Sequence, residues 1–159
     1  MDTVSPQTPW SYVLQLPHDP RAPRVARTIL RAVLELHGPT ELRDTAELLA
    51  CELVTNAYRH SGGQSTLRLR HTEDGGLRVS VWDTNPLIPA PFDRPPGALT
   101  LLSALSPAAD TAEGGRGLLL VQECADNWGG YPLGDDLFGR SGKLLWFELT
   151  PKRELVSAA

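Results

Sequence analysis

Residues 65–71 and 77–81 alternate apolar and polar side chains on either side of Glu73-Asp74-Gly75-Gly76. Alternation with period two, interrupted by an acid-and-glycine turn, marks a β-hairpin. A hairpin commits this part of the chain to an antiparallel sheet. What flanks it reads as helix. Residues 23–36 carry Val25, Ile29, Ala32, Val33 and Leu36 as an apolar stripe, and Gly38-Pro39 ends the segment. Thr40 is then expected to cap a second helix that runs to about Ser61 and stops at Gly62-Gly63. Upstream, residues 10–16 alternate as a short strand, with a Pro- and Arg-containing turn after it. Downstream, prolines crowd residues 85–96 too densely for helix or central strand. The stretch to Glu113 reads as a long connection with one short helix near residues 99–105, a length that belongs to lids and binding loops. Residues 114–117 open a helix through Leu118, Leu119, Val121, Cys124 and Ala125. A glycine-rich excursion follows Trp128, and residues 143–149 form a last strand. Hairpin strands adjacent in sequence, with helices grouped elsewhere, favour an α+β two-layer sandwich over a doubly wound parallel sheet.

Composition excludes several classes. The chain has 159 residues, enough for one core without disulfides or structural metal. Its 41% apolar and 21% charged residues are ordinary for a globular domain, which sets disorder and fibrous classes aside. A formal charge of -4, with arginines scattered among acids, argues against general affinity for nucleic acid or anionic membrane. Cys51 and Cys124 fall in predicted helices among apolar residues and are expected to be small buried hydrophobes, not a disulfide. The first ten residues lack a basic start and an apolar core, and no apolar run approaches the roughly 18 residues of a membrane span, so a soluble cytoplasmic protein is expected.

The second helix carries an oddity. Glu52, Asn56 and His60 stand one turn apart on a segment whose Leu48, Leu49, Leu53, Val54 and Ala57 should face a core. Burying a carboxylate and an amide costs several kcal/mol unless something pairs them. Mg²⁺ suits that role, because it takes one or two side-chain oxygens and fills its remaining positions with water and phosphate oxygens. The same pair at i and i+4 also fits a solvated helix edge. For His60, a histidine complementing the helix C-terminal dipole is as good a reading as a phosphate-side role.

Three motifs in order carry a resemblance. The helix Glu52-Leu53-Val54-Thr55-Asn56-Ala57, then Val81-Trp82-Asp83 at a strand end, then Gly115-Arg116-Gly117-Leu118 opening a helix resemble the GHKL superfamily of Bergerat-fold, histidine kinase-like ATP-binding domains. Within it, ELVTNAYRHS, GGRGLLLV and the terminal GKLLWFEL are most similar to the stand-alone anti-sigma-factor serine/threonine kinase group. The likeness implies a Bergerat two-layer sandwich, with a mixed, mostly antiparallel sheet and helices on one face. It divides the chain into a segment over 1–18 with the first strand, an ATP-binding domain over 19–150 and a tail over 151–159.

The resemblance also assigns roles. Asn56 would ligate Mg²⁺ between the phosphates, and Glu52 would orient or deprotonate the attacking hydroxyl. Asp83 would accept a hydrogen bond from the adenine amino group. Gly115, Arg116, Gly117 and Leu118 would meet the phosphates at a helix start, where free N–H groups and the helix dipole favour anions. Lys143 would meet phosphate or, the favoured reading, face solvent. The implied cofactors are ATP and Mg²⁺. The implied partners are an anti-sigma-factor antagonist phosphorylated on Ser or Thr, a sigma factor, and a second copy of the chain. One box departs from the family's Asp-x-Gly-x-Gly: Asp83-Thr84-Asn85-Pro86-Leu87 has neither glycine. That departure leaves room for an alternative, a partner-binding module on the same scaffold without productive catalysis. A bare ATPase or a detached histidine-kinase domain is a third reading, and the chain shows no separate helix bearing a phospho-accepting histidine.

Overall fold

A computed structural model describes residues 9–90, 92–93, 115–133 and 141–152. Along the chain these form β1 (Ser11–Leu16), α1 (Ala22–His37), a 3₁₀ turn (Thr40–Leu42), α2 (Arg43–His60), β2 (Ser65–His71), β3 (Leu77–Asp83), α3 (Gly115–Cys124), β4 (Asn127–Leu133) and β5 (Gly142–Leu149). The five strands make one sheet in the order β1-β2-β3-β5-β4. Every described pairing is antiparallel, and the fold is the α+β sandwich that the hairpin and helix order lead one to expect. The short helix expected near residues 99–105, the rest of the long connection beyond residue 93 and residues 153–159 of the tail fall outside the described residues.

The hairpin is built as its turn residues require. Gly75 takes φ +82°, a left-handed conformation that a side chain would strain. The Asp74 carboxylate accepts from the Thr72 hydroxyl and from the Gly76 N–H at 3.3 Å, and it reaches the Thr150 hydroxyl at 3.3 Å beyond the end of β5. Those bonds, the one from Thr72 first, hold its pKa below the ordinary carboxylate value against a smaller opposing effect of burial. Before α1, the Asp19 carboxylate accepts from the Arg21 guanidinium at 3.0 and 2.9 Å and from the Arg21 N–H at 2.7 Å. The Arg21 side chain and then its backbone lower the Asp19 pKa to about 2.

One face of the sheet is covered. Leu67, Leu69, Val79, Val81, Leu145 and Phe147 point from alternate strand positions into a core closed by Leu30 and Leu34 of α1, Leu49, Leu53 and Val54 of α2, and Leu118 and Val121 of α3. The helical stripe of α1 is rotated from the expected one. Its buried residues are Ala22, Ala26, Leu30, Val33 and Leu34, while Val25 and Leu36 are exposed and Ala32 faces out. Leu30-x-x-Val33-Leu34 offers a second stripe beside the first, and packing on α2 selects it. Leu48 of α2 also faces out. Thr40 caps nothing with its side chain. The chain makes a 3₁₀ turn there, and α2 starts at Arg43.

Two further expectations are corrected. The glycine-rich excursion after Trp128 is the edge strand β4, paired with β5 from Asn127↔Glu148 to Leu133↔Gly142. Gly129 lets the Trp146 ring lie against the backbone, since a Cβ there would come within 2.9 Å of it, and Pro132 is tolerated because an edge strand has one side free of the ladder. The cysteines are free thiols, as expected, but Cys51 is only partly buried and Cys124 is exposed. Trp128 sits in the core with an edge-on contact to Phe92 at 5.2 Å, and Trp146 lies under the Arg78 guanidinium at 4.1 Å on the open face. No helix among the described residues is long and apolar enough to cross a membrane.

Candidate functional site

α2 brings the polar stripe to the core as the spacing suggests. Asn56 is 6% exposed, and its Oδ1 has no hydrogen-bond partner among the described residues. Buried amide oxygens are seldom left this way, because losing water without a replacement costs about 1–3 kcal/mol. One turn earlier Glu52 is half-buried, and one turn later His60 is exposed. The other buried acid of the helix, Glu47, accepts from Arg31 of α1 at 3.0 and 2.8 Å, and that ion pair ties the two helices together. Glu47 was not among the sequence candidates, and its partner sits sixteen residues away, out of reach of any local pattern.

The glycine box and the carboxylate of the stripe meet. α3 is described from Gly115 to Cys124, and Gly117 lies in its first described turn. A Cβ added at Gly117 would overlap Oε2 of Glu52, so glycine at this position lets the carboxylate lie flat on the α3 backbone. Leu118 is buried in the core. Its side chain packs, and only its backbone N–H is left for a ligand.

The third box closes on itself. Asp83 and Lys143 are register partners across β3 and β5, and both point to the covered face. Lys143 is 0% exposed, which corrects the expectation that it faces solvent. Its Nζ donates to Asp83 Oδ1 at 2.9 Å, Asp83 Oδ2 at 2.8 Å and the Asn85 carbonyl at 3.3 Å. Strand parity could have revealed this. Leu145, Phe147 and Leu149 all point inward from β5, and Lys143 has the same parity.

The two missing glycines of that box are replaced by side-chain hydrogen bonds. Asp83 Oδ1 accepts from the Asn85 N–H at 2.8 Å, and Asn85 Oδ1 accepts from the Leu87 N–H at 3.0 Å, two successive Asx turns that need no positive φ. Asn85 Nδ2 donates to the His60 carbonyl at 2.7 Å, and the Ser61 and Thr84 hydroxyls meet at 2.9 Å. The end of α2 is therefore fastened to the exit of β3.

These residues fit a cation at one end and resist an amine at the other. Among the described residues Asn56 Oδ1 is unpaired, one turn from a carboxylate that meets Gly117, a donor set suited to a hard divalent ion. Asp83 already holds a buried ammonium and a backbone N–H.

The family model described as the histidine kinase-like ATPase domain matches residues 16–132. Among solved structures, a chain from the crystal structure of the SiaB-SiaC complex from Pseudomonas aeruginosa is similar with a TM-score of 0.57 and 17% sequence identity, over 90% of this chain and 92% of that one, which is a likeness of fold. No curated protein matches the chain.

Proposed function

We propose, from the premise that the chain belongs to the histidine kinase-like ATPase family, that it is an anti-sigma-factor-type kinase that binds Mg-ATP and phosphorylates a protein partner. Domains of this family bind ATP. The observation that carries the reading is the buried Asn56 Oδ1, without a partner among the described residues, one turn from a carboxylate that meets Gly117 of α3.

Asn56 would hold Mg²⁺ through Oδ1, and the N–H groups of the first turn of α3, Gly115 to Leu118, would receive the phosphates. The metal supplies neutralisation of phosphate charge, the main need of phosphoryl transfer. Glu52 would accept the proton of an incoming Ser or Thr hydroxyl as its oxygen bonds to the γ-phosphorus and ADP leaves. Such base help is worth about 10²- to 10⁴-fold. The proposed phosphoacceptor is an anti-sigma-factor antagonist, with a sigma factor as the second partner. The similar chain comes from a two-protein complex, which supports a protein partner as such.

Incubation with γ-labelled ATP and candidate antagonist proteins tests this reading. Label should pass to a Ser or Thr of the antagonist and fall at least a hundredfold in Glu52→Gln. Transfer equal in wild type and Glu52→Gln would reject Glu52 as the base, and absence of transfer to every candidate would reject the kinase reading.

A second reading, a partner-binding module without catalysis, draws on the closed state of Asp83. A thermal shift with Mg-ATP separates the two readings, since a ligand at about 100 times its Kd stabilises a fold by about 2.7 kcal/mol and a module that has lost the nucleotide shows none.

A further inference from the structure

We infer that Lys143 is a specificity-determining residue that removes Asp83 from base recognition, so that the chain holds a nucleotide by its phosphates and does not distinguish a 6-amino from a 6-oxo purine. The inference rests on the nucleotide-binding reading above and concerns the opposite end of that site.

A carboxylate offers about four acceptor positions. Three on Asp83 are filled: Lys143 Nζ donates to both oxygens at 2.9 and 2.8 Å, and the Asn85 N–H donates to Oδ1 at 2.8 Å. The Lys143 ammonium has three hydrogens, and it faces three acceptors, the third being the Asn85 carbonyl at 3.3 Å. The two side chains are 1% and 2% exposed, so neither group is left reaching for solvent. A purine amino group is a donor. The one position left, on Oδ2, is enclosed by side chains that are 1% and 2% exposed, so to reach Asp83 the amino group would have to displace the ammonium, and a buried ammonium without its carboxylate is strongly disfavoured. A 6-oxo group is an acceptor, and the three hydrogens of the ammonium already have acceptors, so it gains no bond there either. Read together, the pair turns a carboxylate selective for an amine into a neutral unit with no preference.

The pair is also held from both sides. Direct register pairing places the residues opposite each other on the covered face, and the bonds of Asn85 to Asp83 and to the His60 carbonyl keep the following loop over them. Nothing in that arrangement depends on the ligand.

Calorimetric titration of the full chain with Mg-ATP and with Mg-ITP, in wild type and in Lys143→Met, tests the inference. A charge-assisted hydrogen bond separates its partner from a mismatched isostere by about ten- to a hundredfold. Wild type should bind the two nucleotides within about threefold of each other, and Lys143→Met, with Asp83 released, should prefer ATP by about tenfold or more. A wild-type preference for ATP above about threefold overturns the inference, as does a Lys143→Met protein whose preference stays below tenfold. Should Lys143→Met not fold, Lys143→Gln takes its place, and the wild-type ratio decides by itself in any case. Failure of both nucleotides to bind rejects the nucleotide reading along with the inference. A wild-type preference for ATP rejects the inference alone.

Discussion

The two ends of the candidate site are opposites in hydrogen-bond supply. At the Asn56 end a buried amide oxygen has no partner among the described residues and a half-buried carboxylate lies against the Gly117 backbone. At the Asp83 end a carboxylate, an ammonium and a carbonyl satisfy one another out of contact with solvent. Both ends are built from buried polar groups, and both lie on elements fixed by the same core. The difference is where the compensating partner comes from. The Asp83 end obtains it within the chain. Among the described residues the Asn56 oxygen has none, a deficit worth about 1–3 kcal/mol that the proposed ligand would make good.

The sharpest break of that contrast is kinetic. If the Asn56 end is the working one, Glu52→Gln should lower phosphate transfer by about 10²- to 10⁴-fold while chemical denaturation shows little change in stability. Gly117→Ala attacks the same contact from the other helix. Its Cβ meets the flexible end of Glu52, so the carboxylate should swing away, transfer should fall by about 10²-fold and the thermal midpoint should barely move.

At the Asp83 end the expected loss is in stability. Lys143→Ala or Asp83→Ala breaks a buried pair and should cost about 3–5 kcal/mol in urea unfolding, whereas replacing both partners by apolar residues of similar volume should recover most of it. At Asn56 the sign reverses. Asn56→Leu removes an unsatisfied polar atom from the core, so the free protein should be unchanged or slightly more stable.

The smallest effect lies outside the site. Asp74 has a folded pKa below its ordinary value, chiefly through the Thr72 hydroxyl, so its contribution is complete above the ordinary carboxylate range and fades as pH falls below roughly 4. The difference in thermal midpoint between wild type and Asp74→Asn should shrink over that fall.

The same contrast separates what the sequence could tell from what it could not. The hairpin, the two long helices and the stripe of Glu52 and Asn56 are local patterns, periods of two and 3.6 with their stops, and each appears in the fold. Gly117 against Glu52 joins two motifs sixty-five residues apart, and it is the resemblance carried by the ordered motifs that assigns them to one site. β4 escaped because Gly129, Gly130 and Pro132 read as loop until an edge position and the Trp146 ring explain them. The α1 stripe read from Val25, Ile29, Ala32, Val33 and Leu36 is off by a rotation, because packing on α2 buries the adjacent face of Ala26, Leu30 and Leu34. Lys143 is the instructive miss. Its type says surface, its strand parity says core, and parity holds because Asp83 waits opposite it.

The central claim is the proposal that Asn56 Oδ1, unpartnered among the described residues, is a metal-nucleotide ligand. Thermal unfolding of wild type and Asn56→Leu, each with and without Mg-ATP at about 100 times the wild-type Kd, tests it most directly. Wild type should gain about 2.7 kcal/mol, should lose that gain when Mg²⁺ is chelated, and Asn56→Leu should gain almost nothing. An equal gain in both proteins, or none in wild type, would contradict the account.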